Sequence, residues 1–506
     1  MARVLRPGAL GVDVGSVLNL VGALLKYLGV AFLLPAAFAV GYEEPVWPFL
    51  AAAGITTGFG LLLERGTQGK ERVGPREGFL VVALTWLAVP AFGALPYLFA
   101  NEPQLARPVD AYFEAMSGFT ATGATLLTDI EALDHSLAMW RQFTQWLGGM
   151  GIIVLAVAVL PRLRVGGREL FHSELAGPGE VERLTATIRE TARRLWVLYV
   201  GLTLAAIVAL AAYGWTGADP AMGLYEATAH SFSALAIGGF STQEESMAAF
   251  GAVTQWTIVV FLLLAGINFL RLYLVLVRGQ VHAVARDDEF RLYLAFAAAG
   301  SALLLAELLA GDLAGGEEAV RDAVFQAVSI MTTAGFASTD YTAWTPLAEL
   351  TLLVLMFLGA SAGSTGGSIK VVRHLLMFRI IRRELEQTIH REVMVPVRLN
   401  TAVVEDRALR GVVTFIVLYV GLFALGAVGL LVDARRAAVE VGSFEALGAA
   451  AACLGNVGPA FGFAGPFGTY EPFSDLSTGV LTGLMWLGRL EIIPVAVLLT
   501  RSYWRA

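Results

Sequence analysis

Four short stretches of the chain carry residue types that could replace the water around a cation. They are EAMSGFTATG (114–123), HSFSALAIGG (230–239), QAVSIMTTAG (326–335) and AAAACLGNVG (449–458). Aligned on the glycine that ends each (Gly123, Gly239, Gly335 and Gly458), three of them place a serine at one offset: Ser117, Ser233 and Ser329. In each, a run of small or apolar residues able to form a short helix leads into a few extended residues and the glycine. An ion that crosses lipid loses its hydration shell, and a ring of inward-turned backbone carbonyls can replace that shell for K⁺ without any net protein charge. Such a backbone needs the dihedral freedom of glycine. Short helices aiming their C-terminal ends at the centre would add a favourable partial negative charge. One such stretch alone is most simply a helix cap or a packing site; four in one frame point to a ring. The serines read as structural hydrogen-bond donors behind that ring rather than as ion ligands.

Non-helical main chain at membrane depth is tolerated only where protein buries it or a cavity receives it, so the stretches need a membrane scaffold. The composition provides one: 57% of the 506 residues are hydrophobic and 15% charged, against about 45–50% and 25% in a soluble domain. Runs of about 20 apolar residues mark spanning helices, here near 16–40, 47–64, 78–100, 136–160, 191–214, 252–277, 290–310, 346–377, 408–432 and 479–500. The first two stand apart; the other eight form pairs, each bracketing one stretch. The spacing of the four glycines, 116, 96 and 123 residues, is too long for a solenoid repeat and suits a helix–re-entrant loop–helix unit copied four times. The expected fold is therefore an all-α polytopic membrane protein with four helix–pore loop–helix repeats in pseudo-fourfold arrangement and two extra N-terminal helices. The expected boundaries are 1–75 for the extra helices, then 76–165, 166–280, 281–380 (with a broken second helix) and 381–506 for the repeats. A second glycine series, Gly148, Gly266, Gly359 and Gly488, follows the first by 25, 27, 24 and 30 residues and predicts close helix approaches.

Charge sets the orientation. On the loops predicted to lie inside, 28 of the 35 Lys and Arg residues cluster, seven of them between 161 and 194 and nine between 370 and 410. The opposite loops hold Arg107, Arg141, Arg321, Arg435 and Arg436 among acidic residues such as Glu43, Asp129, Glu244 and Glu317. The excess of basic residues places both termini in the cytoplasm and opens all four stretches to the outside. The basic runs serve as topology signals or as a docking surface, and 179–194 could form a surface helix. Trp47, Trp140, Trp215, Trp256, Trp344 and Trp504 fall near predicted helix ends, as interface belts do. The single cysteine, Cys453, excludes an internal disulfide and a cysteine-rich metal site.

Two further features bear on ion passage. GASAGSTGGS (359–368) interrupts an apolar run; Gly363, Gly366 and Gly367 each cost a helix interior about 1 kcal/mol relative to alanine. A flexible loop at Gly363, Ser364, Thr365, Gly366 and Gly367 could lie across a pore as a gate, or simply kink the helix. Lys370 is wrongly spaced for a phosphate loop. Arg489, in LTGLMWLGRLEIIPVAVLL, would cost about 2.5–3.5 kcal/mol at mid-membrane if unpaired. Glu491 faces another side of that helix, so carbonyls of the broken loop are better partners, and the charge would also repel cations. His230 occupies the place of Glu114 and Gln326 in sister repeats and reads as a polar pore-helix residue before a proton carrier. Asp340 is either a cation-attracting or a merely solvated acid.

TATGAT, IGGFST, TTAGFAS, NVGPA and GSTGGSIKVVR together resemble the TrkH branch of the Trk/Ktr/HKT potassium transporter superfamily, over essentially the whole chain. The resemblance implies K⁺ uptake across a bacterial inner membrane, with K⁺ as the transported ion and no organic cofactor. It implies a homodimer with one pore per subunit, embedded in lipid, and a cytoplasmic nucleotide-binding regulatory subunit of the TrkA type. Carried over, the selectivity filter would be Ala121, Thr122 and Gly123; Ile237, Gly238 and Gly239; Thr333, Ala334 and Gly335; and Asn456, Val457 and Gly458. The gating loop would be 360–368 with Arg489 beside it. Two departures stand out: Ala460, where the family commonly has glycine, and the apolar Ala449 and Ala452 of the fourth pore helix, which could hold its filter segment differently. A transporter coupling K⁺ to Na⁺ or H⁺ is the alternative, but it wants ionisable residues along the path, and these stretches supply few. No H-E-x-x-H, G-x-S-x-G or Cys/His cluster supports an enzyme, and nothing points to nucleic acid.

Overall fold

The computed structural model describes residues 12–67, 74–151, 188–390 and 393–505. Two helical segments, α1 (Val14–Ala31) and α2 (Leu33–Gly41), run almost without interruption. Asp13 starts α1, its carboxylate accepting from the Ser16 amide as an N-cap does. The returning helix α3 (Trp47–Gly66) lies close against α1. A side chain on either Gly22 or Gly60 would strike the other's carbonyl oxygen, so these small residues set the approach.

The remaining helices repeat one plan four times. The first unit has α4 (Pro75–Gly93), α5 (Leu95–Phe99), the short helix α6 (Pro108–Phe119) and α7 (His135–Gly149). The second has α8 (Ile188–Thr216), the short helix α9 (Leu224–Ala236), α10 (Ala252–Ala265) and α11 (Phe269–Leu276). The third has α12 (Asp288–Ala310), the short helix α13 (Gly316–Thr332), α14 (Pro346–Leu355) and α15 (Val371–Ile389). The fourth has α16 (Asp406–Ala437), the short helix α17 (Ser443–Gly455), α18 (Asp475–Arg489) and α19 (Ile493–Leu498). The short helices α6, α9, α13 and α17 are buried at their C-terminal turns. Each packs against the helices on either side of it in its own repeat, and α7 also packs on α9, α10 on α13 and α18 on α6. With α15 of the third unit packing on α16 of the fourth, each unit leans on the next, which is the expected pseudo-fourfold arrangement.

The expected ten full-length spans are corrected in one respect. Among the described residues six helices are long and apolar enough to cross a bilayer, or seven if α10 and α11 count as one span bent by 107°. Among the described residues the second helix breaks in the second, third and fourth repeats, not only the third: α10 and α11 meet at the 107° bend, α14 and α15 are separated by residues 356–370, and α18 stops at Arg489 before α19; in the first repeat α7 ends at Gly149, close to the last described residue of that segment. The second glycine series sits at or beside these breaks. A side chain on Gly148 would overlap Phe119 O, and one on Gly488 would overlap Leu454 O. Both carbonyls belong to the last turns of short helices, two residues before Ala121 and Asn456. The freed backbone groups find protein partners, which is what allows a broken helix at this depth. The stretch 152–187, including part of the expected span 136–160 and most of the expected 179–194 surface helix, lies outside the described residues.

Three smaller expectations also change. Residues 371–389 are helical, and 398–403 form a two-residue hairpin in which Leu399 pairs with Ala402, so the basic 370–410 stretch is not a plain loop. Arg141 lies in no loop; it is buried within α7. Trp140 is likewise buried, its indole N–H donating to Gly93 O (2.9 Å) within the N-terminal core, whereas Trp47 and Trp215 are exposed. A helix-end position in the sequence does not separate a lipid-facing tryptophan from one facing another helix.

Candidate ion pathway

At the end of each short helix the chain makes the same turn. Ala121, Ile237, Thr333 and Asn456 all adopt left-handed conformation (φ 51°, 55°, 70° and 54°), so the stretches are not simply extended as expected. The next residue's amide then donates to the carbonyl five residues back: Thr122 to Ser117 (2.8 Å), Gly238 to Ser233 (3.0 Å), Ala334 to Ser329 (2.8 Å) and Val457 to Ala452 (2.8 Å). This is the bond that closes a helix whose last residue is left-handed. It explains why the offset of the three serines matters even though the fourth repeat has alanine there: the carbonyl does the work. The side chains differ. Ser233 Oγ donates to Gln145 Oε1 (2.7 Å) and Ser329 Oγ to Phe336 O (2.6 Å), while Ser117 Oγ has no partner among the described residues.

The third residue of each segment is the aligned glycine, and it is here that the four repeats meet. Gly123, Gly239, Gly335 and Gly458 have φ of 87°, 80°, 75° and 103°, a region costly to side-chain-bearing residues. A Cβ on Gly123 would collide with Gly238 O, on Gly239 with Ala334 O, on Gly335 with Val457 O, and on Gly458 with Thr122 O. Each glycine therefore abuts the middle carbonyl of the following repeat, and the fourth returns to the first. All four glycines line one cavity of about 130 Å³ that also reaches Thr125, Ser241 and Glu244.

Behind the ring the quadrants are braced differently. In the first, Arg141 and Glu114, both fully buried, form an ion pair (Nε to Oε1, 2.8 Å). Arg141 also donates to Ser241 O (3.2 Å), and Glu114 accepts from Thr125 Oγ1 (3.0 Å) and the Leu126 amide (3.2 Å). In the second, His230 spends both ring nitrogens, on Glu226 O (2.9 Å) and Ser241 Oγ (3.0 Å). In the third, Gln326 Nε2 reaches Ser338 Oγ (3.4 Å). The fourth, with Ala449 at that position, uses other means. Asn456 donates to Thr122 Oγ1 and Met485 O (both 3.0 Å), and the Tyr470 hydroxyl donates to Gly458 O (2.7 Å). Removing one member of a buried ion pair costs about 3–5 kcal/mol because the other charge is stranded. Arg141→Met is accordingly expected to lower the thermal unfolding midpoint in detergent markedly, and pairing it with Glu114→Leu should recover much of the loss.

The broken segment of the third repeat lies across the other end of the ring. Thr365 Oγ1 donates to Leu235 O (3.0 Å), and the Gly367 amide donates to Thr333 Oγ1 (2.7 Å). A Cβ on Gly366 would press on Thr332 O, and one on Gly367 on Gly455 O. The segment thus abuts the ends of α9, α13 and α17. The two broken helices satisfy one another: the Ser361 amide donates to Gly266 O (3.0 Å), and the Phe269 amide donates to Gly363 O (2.9 Å). Within the segment Ser364 Oγ donates to Ser361 O (2.6 Å), and Lys370 Nζ donates to Gly366 O. The Ala362 amide donates to the buried Glu289 carboxylate (2.6 Å). Arg489 joins this loop to the first repeat. One guanidinium nitrogen donates to Thr365 O (3.0 Å) and another to Gly148 O (2.7 Å) and Gly149 O (3.3 Å). Glu491 pairs with Arg373 instead.

Residues 52–505 match the protein family described as TrkH, a cation transport protein. This chain belongs to the TrkH family. It is 36% identical over 492 residues to the Trk system potassium uptake protein TrkH of Halomonas elongata, covering 97% of this chain and 99% of that one. It is 34% identical over 499 residues to the TrkH of Escherichia coli K12, again at 97% and 99% coverage. The crystal structure of the potassium transporter TrkH from Vibrio parahaemolyticus superposes with a TM-score of 0.85 at 34% identity, covering 97% of this chain and all of that one. The expected family and all-helical repeat fold therefore hold for this TrkH-family chain, and the family is one of transport, not catalysis.

The four segments, the loop, Arg489 and the polar pore-helix positions Glu114, His230 and Gln326 are legible in the sequence; the roles of Arg141, Gln145 and Tyr470 are not. Arg141 reads as one of the few basic residues of the outer loops, because charge counting does not show that its partner Glu114 is buried beside it. The signal for Gln145 is faint: three residues before the second-series glycines the sister repeats have Leu263, Met356 and Met485, which makes it the polar exception. Tyr470 left no sequence signal, since it reaches Gly458 from twelve residues further along the chain.

Proposed function

We propose that the protein takes up K⁺ across the cell membrane, through a pore in which the carbonyls of Ala121–Gly123, Ile237–Gly239, Thr333–Gly335 and Asn456–Gly458 replace the ion's hydration shell. The observation that carries this reading is the closed circuit of glycine-to-carbonyl contacts from each repeat to the next. A ring of that kind, fed by four helix C-termini, favours a dehydrated cation without a fixed protein charge. The loop 360–368, with Gly363, Ser364, Thr365, Gly366 and Gly367, serves as the gate, and Arg489 holds it across the path and opposes cations there. The names of the relatives support potassium as the transported ion. The protein acts as a homodimer in the inner membrane with both termini in the cytoplasm, and a nucleotide-binding subunit of the TrkA type controls it from that side.

Coupling to Na⁺ or H⁺ is the competing mechanism. The buried His230, with both ring nitrogens engaged, is poorly placed to carry protons. Purified protein in liposomes is expected to pass K⁺ down its own gradient at a rate indifferent to an imposed Na⁺ or proton gradient at fixed voltage. Flux that required either gradient would establish coupled transport instead.

A further inference from the structure

We propose that Gln145 is a selectivity-determining positioning residue, a side chain from the first repeat that sets where a carbonyl of the second repeat stands in the ring. The proposal rests on the filter assignment above and adds to it.

Gln145 lies on α7, fully buried, and uses its amide at three points on one segment. Its Nε2 donates to Gly238 O (2.6 Å). Its Oε1 accepts from Ser233 Oγ (2.7 Å), on the helix leading in, and from the Phe240 amide (3.2 Å), just past the glycine. One planar group thus spans the segment from before the turn to after it. The fit leaves no slack: a Cβ on Gly238 would collide with the Gln145 amide. Gly238 O is also the oxygen on which Gly123 rests. Gln145 and Gly123 therefore press the same carbonyl from two sides, one by donating to it and one by standing against it.

Among the described residues the other quadrants lack this device. Three residues before the second-series glycines, the equivalent positions are Leu263, Met356 and Met485. These contribute main-chain carbonyls to their surroundings, accepting from Tyr293 (3.2 Å), from the Ser368 hydroxyl (2.6 Å) and from Asn456 (3.0 Å). The ring's four middle carbonyls are accordingly unequal, and among the described residues the second is the one a side-chain amide orients. A carbonyl that already accepts a hydrogen bond is held in direction and polarised. That makes it a fixed element in the gauge of the ring, where a small inward or outward turn decides between K⁺ and the smaller Na⁺.

The test uses the full-length protein in liposomes, with K⁺/Na⁺ permeability ratios read from reversal potentials or paired fluxes. Gln145→Glu keeps an acceptor for Ser233 and Phe240 but removes the donor to Gly238 O. Gln145→Met places there the residue of the third and fourth repeats. Both are expected to lower the ratio about fivefold, the equilibrium weight of roughly one net hydrogen bond. A merely structural role would reduce yield or thermal stability and leave the ratio of the surviving protein untouched. A ratio within about twofold of wild type in both variants, with Gly123→Ser still lowering it, would overturn the role of Gln145 and leave the filter standing. A fall confined to Gln145→Glu would be an effect of charge and would overturn it equally. Wild-type protein that failed to prefer K⁺ would sink the filter assignment itself.

Discussion

Gly123→Ser is expected to cut the K⁺/Na⁺ permeability ratio by about tenfold or more, a change of roughly 1.4 kcal/mol or above in relative ion stabilisation. Two costs act together. Gly123 has φ of 87°, and a side-chain-bearing residue in the left-handed region costs about 1–2 kcal/mol. The new Cβ would also enter the space of Gly238 O, a carbonyl pinned from behind by Gln145. Either the serine backbone or that carbonyl must shift, and both belong to the ring. A looser ring holds K⁺ less well while Na⁺, which keeps more of its water, loses little. Bi-ionic measurements on reconstituted protein provide the check, and an unchanged ratio in correctly folded protein would rule out these segments as the filter.

Arg489→Ala should raise basal K⁺ flux by about a hundredfold. A cation about 6 Å from the guanidinium, at an effective dielectric of about 20, is repelled by about 3 kcal/mol, and that barrier disappears with the charge. The substitution also releases the loop, since Arg489 bridges Thr365 O to Gly148 O. Deleting Gly363–Gly366 acts on the same barrier from the loop side and is expected to raise flux as well. Liposome flux without any regulatory subunit separates the outcomes. Reduced or unaltered flux in both variants, with unfolding midpoints near wild type, would show that the loop is no gate.

These two substitutions meet at a structural feature of the ring: neighbouring repeats are coupled by direct contact. The loop of the third repeat touches helices of the second and fourth, and Arg489 of the fourth ties it to the first. Movement of the loop must therefore break bonds to several quadrants together, including the reciprocal pair at Gly266 and Gly363. That favours two discrete states over graded opening, because a packed interface of this kind does not deform continuously.

Much of this molecule was legible in one dimension. Apolar length, the lopsided distribution of arginine and the recurrence of a glycine with a fixed run before it are local properties. They determined the membrane class, the four repeats and the place of each pore segment, while the family came from the resemblance carried by the motifs around those glycines. Glycine was informative because the left-handed backbone at Gly123, Gly239, Gly335 and Gly458 excludes most other residues wherever the segment lies. Only the tertiary structure decided which repeat leans on which, that the second helix breaks in the second, third and fourth repeats, that Arg141 is buried in a helix and not in a loop, and that Gln145 reaches the second repeat's segment. Those facts depend on groups about a hundred residues apart in the chain, such as Gln145 and Gly238. Hydrophobicity cannot supply them, since a helix facing lipid and a helix facing protein bury apolar side chains alike, and a polar residue among them declares its role only when its partner arrives.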